Sequence, residues 1–233
     1  MPRLARLARA DLRPPLTPAQ QRVVSLSQWI TPPWLAEVVV DVAEIKPGHV
    51  VLEPSAGTGN IVRAALARGA SVDAVDVDPG MVRRLRAIDV SAYPASFGLR
   101  VHRADFLTWQ PPACAEPADV CPTNVPYENG ADLAHMLRAL SLAPRVVGIL
   151  RLNAIVGGRR TDALWSRFDV RQVLVCAERP DFGEEMRRVS RGQRAGNPTG
   201  SAGAESDFAI VDVFSRPRRP GTRPSFDWIR RPG

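Results

Sequence analysis

An α/β fold with a mostly parallel sheet is predicted by three features of this 233-residue chain. From about Pro33 onward, apolar runs of strand length alternate with helical patterns, and such alternation implies a sheet covered by helices on both faces. A glycine turn, VVLEPSAGTGN from Val50 to Asn60, follows an apolar strand and opens a helix. The run RVVGILRLNAIV, beginning at Arg145, is nearly continuous in apolar residues, as a strand buried on both faces requires.

Taken in order, the first helix starts near Pro33, with Leu35, Val38, Val39 and Val42 at helical spacing. The glycine turn and the helix IVRAALARGA follow, then SVDAVDVD, a β-branched alternating strand, and PGMVRRLRAI, a helix opened by proline. LRVHRADF and ADVCPTN read as strands, NGADLAHMLRALSLA as a helix, and RVVGILRLNAIV as the buried strand. TDALWSRF is expected to be a short helix, with VRQVLVCAE and SDFAIVDVFSR as further strands. These elements divide the chain into a basic tail at 1–27, one domain at 28–215 and a Pro/Arg-rich tail at 216–233 with an apolar patch at Phe226, Trp228 and Ile229. Inside the domain, residues 180–205 form a polar loop without periodicity, of a length that is usually functional or disordered.

A hydrophobic content of 45% allows one substantial core. The net charge of +7 comes from Arg far more than Lys, which favours a polyanionic partner through bidentate guanidinium–phosphate pairing; an Arg-rich proteome is the competing explanation. Three cysteines, Cys114, Cys121 and Cys176, lack disulfide or zinc spacing and fit a reduced, cytoplasmic setting. His49, His102 and His135 are equally scattered, so no metal centre is expected. The N-terminal stretch has no apolar run long enough for a signal core or a membrane span.

Glu53 ends the first strand, and Ser55, Gly57 and Gly59 lie in the turn, where glycines let a ligand approach the backbone. Asp76, at the end of the second strand, is placed to accept from ribose hydroxyls. A carboxylate beside the turn would repel a pyrophosphate and would receive a cationic amine, so Glu53 argues against a dinucleotide.

The segments LEPSAGTGNIVRAA and DVDPGMV resemble the first two motifs of the class I S-adenosylmethionine-dependent methyltransferases, and Asp105-Phe106 in RADFLTW resembles the third. The resemblance implies a Rossmann-like, seven-stranded, mostly parallel sheet with an antiparallel last strand, and S-adenosyl-L-methionine as cofactor. It also implies that Asp105 meets the adenine amine and Phe106 the adenine face; a turn cap and a core residue are the alternatives. Asn124-Val125-Pro126-Tyr127 is similar to the Asn-Pro-Pro-Tyr signature of enzymes that methylate planar amino groups. By that likeness the Asn124 side-chain oxygen and the Val125 carbonyl accept from the amine and free its lone pair, Pro126 shapes the pocket and Tyr127 stacks on the substrate. Val125 keeps the carbonyl but lacks the fixed φ of a second proline. The alternative is an ordinary strand exit.

Thr31, in QWITPPWLAEVV, resembles a segment that closes over the methionine end of the cofactor, and could equally be a helix cap. GILRLNAIVGGRR, ERPDF, SDFAIVDVF and the terminal WI resemble small phage- and prophage-type DNA adenine methyltransferases, which makes adenine in DNA the expected substrate. Methylation of an RNA adenine or a protein glutamine amide is the nearer alternative, and non-catalytic binding of cofactor or nucleic acid the farther one. Arg187, Arg188 and Arg191 in the polar loop are the candidate phosphate contacts.

Overall fold

The computed structural model describes residues 29–93, 98–127, 130–182 and 207–232. Helix α1 (Pro33–Val42) begins with proline, whose missing N–H costs nothing in the first turn. It buries Leu35, Ala36, Val39 and Val40, while Val38 and Val42 are half-buried, so its inner face is turned toward Ala36 and Val40 from the one the spacing predicts.

Strands β1 (Val50–Glu53), β2 (Ser71–Asp76) and β3 (Leu99–Arg103) form a parallel sheet in that order, crossed over by helices α2 (Asn60–Ala67) and α3 (Pro79–Arg86). A second sheet contains β4 (Cys121–Asn124), β5 (Arg145–Arg151), β6 (Phe168–Cys176), β7 (Phe208–Pro217) and β8 (Ser225–Ile229), in the order β4-β5-β7-β6-β8. Helix α4 (Ala131–Leu142) links β4 to its parallel neighbour β5, and α5 (Gly158–Arg160) runs into a π-helical turn at Thr161–Trp165 before β6.

The sheets meet at a parallel bridge between Val51 and Val120, where Leu52 N donates to the Val120 carbonyl at 3.1 Å and Asp119 N to the Val50 carbonyl at 2.8 Å. Across that seam the strands run β3-β2-β1-β4-β5-β7-β6-β8. The chain leaves β1 toward β2 on one side, with β4 on the other, so the carboxyl ends of β1 and β4 flank a topological switch point, where open α/β sheets build their sites.

Two expectations change. The described residues hold eight strands, in sheets of three and five that meet at the Val51–Val120 bridge, where seven in one sheet were expected. The antiparallel strand is β7, against both β5 and β6, and β8 follows it parallel to β6. Strand β8 lies in the segment 216–233, which its composition marks as a tail. Its five residues, Ser-Phe-Asp-Trp-Ile, have strand propensity that the surrounding Pro and Arg obscure, and Ile229 packs on the core.

One buried ion pair fixes α1 to the second sheet. Arg145 Nε lies 2.9 Å from Asp212 Oδ1 and Nη2 2.9 Å from Oδ2, and the same guanidinium donates to the Val42 and Ala43 carbonyls at the end of α1. Those carbonyls have no helical partner, so the cation satisfies them and meets the negative end of the helix dipole. No helix among the described residues is long and apolar enough to cross a membrane.

Candidate functional site

The turn after β1 uses its two glycines differently. Gly57 (φ 53°) faces open space: a Cβ there would have only the Ser55 carbonyl within 4 Å, at 3.9 Å. Gly59 (φ 86°) faces inward, where a Cβ would lie 2.9 Å from Leu85 Cδ2 and 3.0 Å from Ile88 Cδ1. The first therefore leaves room for a ligand, and the second lets α2 pack against the end of α3.

Asp76 secures this turn to the end of β2. Its Oδ2 accepts from Gly57 N at 2.8 Å and its Oδ1 from Asp78 N at 2.7 Å. Each oxygen keeps a further lone pair. Burial pushes the Asp76 carboxyl above its ordinary range, against the pull of the two amides.

Glu53 is almost wholly buried at the end of β1. Its Oε1 accepts from Ser55 N at 3.1 Å and from the Thr123 hydroxyl at 3.0 Å, whereas Oε2 is buried with no hydrogen-bond partner among the described residues. Burial pushes the carboxyl up to about 8, although both donors favour its ionised form. A buried acceptor left over in this way is costly, and it fits a site completed by a cationic donor.

Thr123 leads directly to Asn124 at the end of β4. Asn124 Nδ2 donates to the Trp29 carbonyl at 2.8 Å and to Thr31 Oγ1 at 3.1 Å, while its Oδ1 accepts from the Tyr127 hydroxyl. Thr31 is not the α1 cap, since Pro32 holds that position. Its hydroxyl serves Asn124, and its carbonyl accepts from Asn60 Nδ2 at 2.7 Å, which ties the start of α2 to the end of β4.

Tyr127 differs from the free stacking surface expected of it. It is 6% exposed, its hydroxyl also lies 3.2 Å from the Ile149 carbonyl, and its ring packs against Trp29 and Phe208 with centroids 5.8 and 5.6 Å away. The Arg151 guanidinium sits 4.9 Å from the Tyr127 centroid and 5.2 Å from that of Trp29. Phe182 closes the cluster against Phe208, at 4.7 Å. Val125 is buried beside Asn124, and Pro126 is half-buried.

The third motif is less assembled. Asp105 is exposed and caps a turn, its Oδ1 accepting from Leu107 N at 3.0 Å. Phe106 is 3% exposed and lies against the His135 ring at 5.7 Å, so it packs as a core residue where a free face was expected. Arg187, Arg188 and Arg191 fall outside the described residues, as do the basic segment 1–27 and most of the polar loop.

The structure thus brings Thr31, Glu53, Ser55, Gly57, Asp76 and Asn124 together at the carboxyl edge of β1, β2 and β4. Sequence reasoning missed Thr123, Trp29, Arg151 and the ring cluster. For Arg151 a signal existed, because a charged residue ending a nearly continuous apolar strand marks the chain's exit at the edge where sites form.

No family model matches the chain. A dimethyladenosine transferase of Candida glabrata is 35% identical over 114 residues, 49% of this chain and 34% of that protein. A ribosomal RNA small subunit methyltransferase of Arabidopsis thaliana is 30% identical over 196 residues, 81% of this chain and 49% of that protein. The chain spans about half the length of these curated relatives, or less. Among solved structures, a Pyrococcus horikoshii protein described as an RNA methyltransferase matches with a TM-score of 0.62 over 93% of this chain and 100% of that one, at 21% identity. Solved neighbours also include a 23S rRNA methyltransferase and a type I restriction-modification methyltransferase subunit, so the fold alone does not choose between RNA and DNA. The fold is that of the Rossmann-like class I methyltransferases, a class that uses S-adenosyl-L-methionine.

Proposed function

We propose that this chain transfers a methyl group from S-adenosyl-L-methionine to the exocyclic amine of adenine in RNA, with ribosomal RNA the favoured class. The observation that carries the reading is the pair of buried groups across the β1–β4 seam. Glu53 has one oxygen without a partner among the described residues, and Asn124 follows the threonine that holds the other. The names of the sequence relatives favour RNA over the DNA expected from the phage-type resemblance.

The cofactor supplies an electrophilic methyl on a sulfonium. Glu53 would receive its ammonium at Oε2, the remaining lone pairs of Asp76 would accept from the ribose hydroxyls, the open side of Gly57 would admit the ligand against the backbone, and Asp105 would accept from the adenine amine. On the substrate side, the lone pair of an aromatic amine is delocalised into the ring. Acceptors on its two hydrogens draw the nitrogen toward sp³ and free that pair for attack; the Val125 carbonyl and the one lone pair that Asn124 Oδ1 keeps beside its bond from the Tyr127 hydroxyl would supply them. Both Asn124 amide hydrogens are taken by Trp29 and Thr31, which aims the oxygen away from the 29–31 segment. The Tyr127 hydroxyl holds the Asn124 oxygen, and the Arg151 guanidinium lies over the Tyr127 ring. A target paired in a helix would have to leave its stack to reach this edge.

The test is transfer of labelled methyl from the cofactor to ribosomal RNA, other RNA, DNA and protein presented separately. Label in RNA, recovered as methylated adenosine, supports the reading. Label confined to DNA or to protein overturns the choice of substrate, and label nowhere overturns the activity.

A further inference from the structure

The outermost strand, β8, carries the two most exposed aromatic rings among the described residues, Phe226 at 57% and Trp228 at 62%. They stand two residues apart, so they share one face of the strand, and their rings meet edge to face at 5.2 Å. In register they neighbour Val173 and Val175 of β6, which are buried, so the rings continue a core face past the point where anything described covers it. The flanking chain is cationic: Arg218, Arg219, Arg223, Arg230 and Arg231 are all exposed, Asp227 is the one acidic residue among them in sequence, and Glu178 after β6 lies 3.8 Å from the Arg230 guanidinium. Asp227 accepts from its neighbour's amide, Trp228 N, at 2.8 Å.

Topology connects this ledge to the candidate site. Strands β4, β5, β6 and β8 all run in one direction, with antiparallel β7 between β5 and β6. Their carboxyl ends therefore share an edge, with Asn124 ending β4 and Trp228 next to the end of β8. Four strand spacings of about 4.8 Å separate the two strands, roughly 19 Å along the sheet.

We infer that the Phe226–Trp228 ledge, with its arginines, is a docking surface for single-stranded RNA, holding nucleotides adjacent to the one presented at Asn124. Exposed rings offer stacking that any base can use, and guanidiniums beside them neutralise the backbone between bases. The excess of arginines over carboxylates on this strand and its flanks complements a polyanion, and a single strand joins that charge to bases that stack on the rings. The inference rests on the proposed RNA reading for its orientation, though the binding itself is measurable without catalysis.

The experiment measures affinity for a twelve-nucleotide single-stranded oligouridine, which contains no adenine to methylate, alongside S-adenosylhomocysteine affinity and sedimentation. The Phe226→Ala/Trp228→Ala variant, whose side chains are mostly exposed and whose fold is checked by its melting profile, is expected to lose about tenfold or more in RNA affinity. Its S-adenosylhomocysteine affinity should not change. Arg219→Ser/Arg223→Ser should flatten the slope of log affinity against log salt by about 0.7 for each phosphate no longer neutralised. Equal RNA affinity in wild type and the ring variant overturns the inference, as does a wild-type dimer that the ring substitutions dissociate, because the ledge then belongs to a second copy. Ring-dependent RNA binding by a wild type that methylates no RNA upholds the surface and removes the proposed activity, so the two failures are distinguishable.

Discussion

Asn124 and Thr31, 93 residues apart in sequence, are joined by a 3.1 Å hydrogen bond from the Asn124 amide to the Thr31 hydroxyl. That bond commits the amide end of the Asn124 side chain, while the oxygen, which accepts from the Tyr127 hydroxyl, keeps one lone pair. Thr31→Val should leave one amide hydrogen without its acceptor and lower the rate of methyl transfer by about five- to thirtyfold, the equivalent of roughly 1–2 kcal/mol. Thr31→Ser should restore it. Affinity for S-adenosylhomocysteine by calorimetry should stay put; a large loss there, with turnover of the bound complex unchanged, would assign the hydroxyl to the cofactor.

The Glu53 carboxyl, pushed up to about 8 by burial, makes a pH prediction with a definite sign. Its folded value exceeds the ordinary carboxylate value, so its contribution to stability is fully present below about pH 4.5 and is lost as pH rises to about 8. Glu53→Gln should flatten that part of the stability profile in urea unfolding. A cationic amine arriving at Oε2 would favour the ionised form, so ligand binding at pH 7 should release about one proton from wild type and none from the Gln variant. Calorimetry in buffers of differing ionisation enthalpy measures this, and equal proton release by the two proteins would contradict the assignment.

The two glycines of the turn should respond in opposite ways. Gly57→Leu is expected to abolish cofactor binding while the protein still folds, since its side chain enters open space at a cost of about 1–2 kcal/mol for the positive φ. Gly59→Ala should destabilise by about 1–3 kcal/mol through the clash with Leu85 and Ile88, shifting the melt with little direct effect on the ligand site. Reversal of that pattern would mean that the ligand lies on the other side of the turn.

Asp212→Ala should be among the most damaging substitutions outside the site, because it leaves the largely buried Arg145 guanidinium with only the half-exposed Glu44 carboxylate, 3.7 Å away. Removing one partner of such a pair costs about 3–5 kcal/mol. Asp212→Leu combined with Arg145→Met should cost less than Asp212→Ala alone, and chemical unfolding of both variants decides it.

The parts of the site legible in the sequence are those encoded by neighbouring residues. The turn from Glu53 to Gly59, Asp76 at a strand end and Asn124 at a strand exit each announce themselves through local pattern and residue type. What pairs them is not local. Thr123 reaches Glu53 only because β4 lies beside β1, and Trp29 reaches Asn124 from 95 residues away. Tyr127 and Phe106 mislead for a related reason: motif position suggests a ring offered to a ligand, while burial is set by Phe208, Trp29 and His135, which come from distant segments. Strand β8 is hidden by composition, since Pro and Arg on either side read as tail and the pairing with β6 supplies the order.

Mass spectrometry of nucleosides from ribosomal RNA incubated with S-adenosylmethionine and either wild-type protein or Asn124→Ala decides whether this chain methylates RNA adenine through Asn124. N6-methylated adenosine, single or double, is expected with the wild type and is expected to be nearly absent with a variant that still binds S-adenosylhomocysteine. Equal methylation by both proteins, or methylated adenine found in DNA and never in RNA, would contradict that assignment.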